Sequence, residues 1–251
     1  MTRFDQFTLV AGFLVFCRIG TCLSFAPGFS SPRIPVRLRL LIAIGLTIAL
    51  CPPILESFAT ASRSLTTMEA APLIARECLI GATIGIMARM VFAALETMFT
   101  AASLAIGASS SFAPRVDESE SIPEFASLVM FATTALLFVS NAHWEIVRAI
   151  YESYAIMPLK SAIAPELALG KIAETLSFGF SIAFRLAAPF LAFGFVSNFA
   201  FALVNKIAPQ IAIYFVAAPF VLIGGLVLLS ITWNDIATQF IASFTDWLWR
   251  I

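Results

Sequence analysis

The sequence predicts an all-α, polytopic integral membrane protein of about six long, bent helices arranged as helical hairpins. Three observations lead there. The 251-residue chain is 60% hydrophobic and only 12% charged, about half the charged share of an ordinary soluble domain. Phe125–Trp144, Leu186–Asn205 and Ile207–Asn234 carry no formal charge, and each matches or exceeds the ~20 residues that cross a bilayer. Between the apolar runs lie short stretches rich in proline, glycine and charge, the composition of connecting turns. Membrane lipid is therefore an expected partner. Fifteen basic and fifteen acidic residues cancel, so no net field recruits nucleic acid.

In order, Phe7–Phe29 is apolar apart from Arg18 and ends at Pro27-Gly28. It reads as a retained first helix, because a single arginine offset by Asp5 makes a poor signal-peptide n-region. The basic loop SSPRIPVRLR follows and prefers the cytoplasmic side. Leu40–Leu55 is a short apolar run that stops at Cys51-Pro52-Pro53. After a polar link at Thr60–Thr67, Ala70–Ala108 would run ~58 Å as one helix, so it either bends into a hairpin or leaves the bilayer. Gly107–Glu124 then turns polar, with three serines, two prolines and a cluster of carboxylates. Phe125–Tyr154 reads as one helix ending at Pro158. A mixed link follows through Lys160, Pro165 and Lys171. Leu176–Val204 and Ile211–Trp233 form a last hairpin, and the tail from Asp235, with Trp247 and Trp249, suits an interfacial helix.

Charges inside apolar helices need protein or water around them. Gly81, Gly85, Arg89 and Glu96 fall on one face roughly 80° wide, the glycines forming a small-xxx-small seam. Asn141, Glu145, Arg148 and Glu152 share a face roughly 60° wide, with spacings that allow local ion pairs. Arg185, Asn198 and Asn205 make a third set, in which the two asparagines share a face. Arg18, Glu77, Pro209 and Gln210 complete the candidate buried polar or interface positions. Three readings stay open for them: helix–helix contacts, the lining of a conduit, and a proton relay.

Chemistry is not written in this chain. The four cysteines form no CxxC pair and there is one histidine, so neither a metal site nor a disulfide framework is expected. Gly107-Ala-Ser-Ser-Ser111 lacks the lysine of a phosphate loop. No cofactor is implied, and an enzyme is not expected.

Four stretches, in order, carry a family resemblance: CRIGTCLSFAPGFSSPRIPVRLRLLIAIGLTIAL, RECLIGATIGIMARMVFAALETMFTAASLAIG, FVSNAHWEIVRAIYESYAIMP and RLAAPFLAFGFVSNFAFALVNKIAPQIAIYFVAAPF. Together they resemble the FliR family, flagellar biosynthetic proteins of the bacterial type III export apparatus, and its injectisome counterparts. The resemblance covers nearly the whole chain, which is then a single export-gate domain, 1–251, divided into 1–108, a plug-like loop at 109–124, and 125–251. It implies one copy of this subunit joined to FliP-like and FliQ-like subunits, with FlhB-like and FlhA-like export components nearby. Unfolded protein substrates would pass through the resulting channel in the inner membrane at the flagellar basal body. The family's gate stands largely proud of the membrane plane, and export is driven by the proton gradient and a separate ATPase.

The family's channel plug maps onto Ser109, Ser110, Ser111, Phe112, Ala113, Pro114, Arg115 and Asp117, with Phe112 as the one large apolar residue. Here the sequence departs from the family, since Glu118 rather than proline follows Asp117 and no glycine precedes Pro123. The alternatives are an injectisome paralogue and a stand-alone proton-coupled transporter of a small solute.

Overall fold

A computed structural model of the chain describes residues 6–31, 34–58, 67–108, 123–158, 165–210 and 213–249. Among them are seven α-helices and no strand: α1 (Gln6–Phe25), α2 (Val36–Phe58), α3 (Thr67–Ala105), α4 (Glu124–Val139), α5 (His143–Ile156), α6 (Pro165–Ile207) and α7 (Ile213–Leu248). Four segments are long and apolar enough to cross a membrane: Val36–Ile54, Ala71–Ala105, Leu169–Ile207 and Ala217–Leu248. Counting α4 and α5 as one broken span makes five.

Four boundaries differ from the sequence expectation, each for a physical reason. α2 continues through Pro52 and Pro53 to Phe58. A proline removes one ladder bond but keeps a helical φ, so the pair does not stop the helix. The Phe125–Tyr154 run is two helices, parted at Ser140–Ala142 where Asn141 adopts φ 59°. Asparagine tolerates that left-handed region, and one such residue ends a helix. α6 starts at Pro165, inside the expected link, with proline in the first-turn position that needs no donor. α7 runs through Asn234 and Asp235 without a break. Beyond them Ile236, Phe240, Phe244 and Trp247 recur at helical spacing and are all buried. The long third run is one 39-residue helix, which excludes the hairpin alternative.

The chain forms two compact units. The first comprises Met1–Met90, Asn141–Thr175 and Trp247–Ile251. In it α1 packs along α2, and α5 touches both. Its core holds Leu14, Val15, Ile19 and Leu23 of α1, Ile80 and Ile84 of α3, and Ile146 and Ile150 of α5.

The second unit comprises Val91–Ser140 and Leu176–Asp246. Its core is aromatic. Phe190 of α6 lies 5.5 Å from both Phe99 and Phe125, while Phe92 meets Phe240 and Phe244 edge-on at 5.1 and 5.5 Å. Edge-to-face pairs of this kind add about 0.5–1.5 kcal/mol each beyond their buried area.

Candidate functional site

α1 carries a single charge, and the first unit is built around it. Arg18 is fully buried, as is its partner Glu77 on α3. Arg18 Nε donates to Glu77 Oε2 at 2.6 Å and Nη2 to Oε1 at 3.0 Å, a bidentate pair. Nη1 donates to Ser153 Oγ on α5 at 2.9 Å, and Nη2 also reaches the Met157 carbonyl at 3.1 Å. The Tyr154 ring lies 3.8 Å from the guanidinium carbon. The Ser153 hydroxyl itself donates a hydrogen bond to the Ile150 carbonyl, so its oxygen is fixed as an acceptor for the arginine.

Two arginines here face one carboxylate, because Arg76 Nη2 donates to the Pro158 carbonyl at 2.7 Å while its Nη1 lies 3.9 Å from Glu77 Oε1. The surplus positive charge is directed at the last carbonyls of α5, the negative end of that helix's dipole. Three helices and the exit from α5 are thereby tied at one buried point.

Close approach makes this tie reachable. Gly81 and Gly85 follow Glu77 at four-residue steps. A Cβ added at Gly81 would strike the Arg18 carbonyl and Thr21 Oγ1, and one at Gly85 the Cys22 carbonyl and Phe25 Cβ. Each four-residue step also rotates the face by about 40°. By Arg89 the stripe has therefore turned outward, and Arg89 is exposed. Glu96 is half-buried, and neither it nor Arg89 pairs with another described residue.

A second arrangement lies in the other unit, at the end of α3. Gly107, at φ 71°, closes the helix: Ala108 N–H donates to the Ser103 carbonyl and Gly107 N–H to that of Leu104. Asn198 Nδ2 of α6 donates to the Ala105 carbonyl at 2.8 Å. A Cβ at Gly194 would lie 2.7 Å from Ala105, and one at Gly225 of α7 2.8 Å from Ile106. Two glycine notches and one amide thus hold the point where the chain leaves α3. It returns at Pro123 and Phe125, both buried, the latter in the aromatic core.

Of the remaining candidates, Arg148 pairs with Glu152 at 2.8 Å and stacks over Trp249 at 3.7 Å. Glu145 is half-buried, and Asn141 is exposed at the helix break. Arg185, Asn205, Pro209 and Gln210 are exposed on α6 and in the turn after it. Trp247 is buried and donates to Thr175 at 3.3 Å, so the expected interfacial tail has one tryptophan turned inward. The plug candidates Ser109, Ser110, Ser111, Phe112, Ala113, Pro114, Arg115 and Asp117 lie outside the described residues.

Ser153 and Tyr154 were not singled out in the sequence. The signal for Ser153 was its position seven after Ile146 and three after Ile150, a polar residue on α5's buried side. No group of three metal-ligating side chains occurs among the described residues.

Residues 9–247 match the family described as bacterial export proteins, family 1. The flagellar biosynthetic protein FliR of Caulobacter vibrioides is 29% identical over 231 residues, 92% of this chain and 91% of that protein. FliR of Escherichia coli is 25% identical over 215 residues, 85% of this chain and 80% of that protein. FliR of Pectobacterium carotovorum is 23% identical over 222 residues.

Proposed function

Since this chain belongs to family 1 of the bacterial export proteins, we propose that it is a structural, non-enzymatic subunit of the flagellar type III export apparatus. It resides in the inner membrane at the basal body, in a hetero-oligomer with FliP-like and FliQ-like subunits and beside FlhB-like and FlhA-like components. Unfolded flagellar proteins cross through the channel it helps to form. The whole chain acts as one export-gate domain.

The match over residues 9–247 is the observation that carries this reading. A physical argument supports it. Only 17% of the Leu169–Ile207 window and 11% of Val36–Ile54 is buried within the chain. Arg89 and Arg185 are exposed on membrane-type helices. A charged side chain at membrane depth costs about 2.5–3.5 kcal/mol, so such positions call for neighbouring protein or a water path. Residues 109–117 act as the channel's plug. What supports that role is the anchoring at either end of the segment, by Asn198 on Ala105 and by Phe125 on Phe190.

Deleting the gene tests the reading. Loss of secreted flagellar proteins and of swimming is expected. Normal swimming with loss of other secreted effectors would instead assign the chain to an injectisome.

A further inference from the structure

What α5 leaves exposed sets it apart. The other long helices turn leucine, isoleucine, valine and phenylalanine outward. Apart from Ile156 at its end, the large side chains α5 turns out are Trp144, Arg148 and Tyr151, spaced i, i+4, i+7 in a stripe roughly 60° wide. Trp249, from the end of α7, extends the stripe by lying 3.7 Å from the Arg148 guanidinium carbon. The three rings are 57%, 42% and 54% exposed. With 14 residues α5 reaches ~21 Å, short of the ~30 Å hydrocarbon core.

Neither bulk water nor hydrocarbon suits this stripe. Water would leave three large rings bare. Hydrocarbon would strand Glu152 and the Arg148 guanidinium, which gives only its Nε to a described residue, at 2.8 Å to Glu152. Its Nη donors point to no acceptor among the described residues. We propose that this stripe rests in the headgroup layer of a phospholipid bilayer, with the Arg148 Nη donors on lipid phosphate. Tryptophan and tyrosine favour that layer because one end of each ring is apolar and the other polar. A guanidinium fork matches phosphate oxygens in geometry and charge, and the stacked Trp249 holds it in place. This inference goes beyond the export reading, since it concerns lipid whatever passes through the apparatus.

The test places a benzoylphenylalanine photocrosslinker at Tyr151 of the full chain in cell membranes, with the same group at buried Ile146 as the blank. Irradiation is expected to add the mass of an intact glycerophospholipid at 151 and not at 146. Absence of lipid adducts at 151, with or without protein adducts in their place, overturns the proposal. A second measurement does not depend on crosslinking. In nanodiscs of phosphatidylethanolamine and phosphatidylglycerol, the chain with Trp233→Phe and Trp247→Phe keeps only the two stripe tryptophans. Lipid spin-labelled at the headgroup should quench them at least about twofold more than lipid labelled near the acyl end. Equal quenching, or none by either, contradicts the placement.

Discussion

Arg18 and Glu77, 59 residues apart in the chain, form a fully buried bidentate ion pair at 2.6 and 3.0 Å. Removing one partner of such a pair leaves an uncompensated charge, at about 3–5 kcal/mol. Arg18→Ala and Glu77→Ala should therefore each sharply lower the amount of folded protein recovered from membranes. The swap R18E/E77R should not rescue it, because a carboxylate at 18 would face the Met157 carbonyl, which offers no proton. Thermal melts of the detergent-solubilised variants check this. A swap as stable as the parent would show that the pair acts only through its net charge.

The glycine seam predicts a contrast within one residue type. Gly81→Ala and Gly85→Ala must push α1 away from α3, whereas a Cβ at Gly45 meets nothing within 4 Å. Gly45 lies inside α2, so Gly45→Ala should stabilise by about 0.5–1 kcal/mol while the other two destabilise. The same melts decide it, and equal effects at all three positions would remove the seam.

At the end of α3, Asn198→Ala removes one hydrogen bond, worth about 0.5–1.5 kcal/mol, and Gly107→Ala strains a left-handed residue by about 1–2 kcal/mol. If residues 109–117 plug the channel, deleting them should raise ion leakage across the membrane while assembly survives. Asn198→Ala, which loosens one anchor, should raise it less. A tight membrane in the deletion strain with a fully assembled complex would end the plug reading.

Much of this was legible in the letters. The helical membrane class follows from apolar runs, and Arg18 stood out as the only charge in its helix. Glu77 was a candidate as well, but nothing joined the two, because periodicity links residues within one helix and says nothing about which faces meet. Asn198 was visible as a polar residue in an apolar helix, but its acceptor is a backbone carbonyl, which has no letter. The break at Asn141 was missed for a related reason. An uncharged run looks continuous by hydropathy even where one residue takes a left-handed φ.

Arg89 is exposed in the Ala71–Ala105 span and Glu96 half-buried two turns on, neither paired with a described residue. Contacts with neighbouring subunits would supply what is missing. Arg89→Glu and Glu96→Arg should each lower the yield of assembled complex several-fold without changing the chain's own melting. Full yield from both reversals would take these residues out of the interface.

Affinity purification of the tagged full chain from native membranes, followed by mass spectrometry, tests the central claim most directly. The account predicts that FliP-like and FliQ-like subunits elute with it in fixed ratio, and that the chain expressed without them accumulates poorly. A chain that elutes alone, stable and active in solute uptake when reconstituted into liposomes, would contradict it.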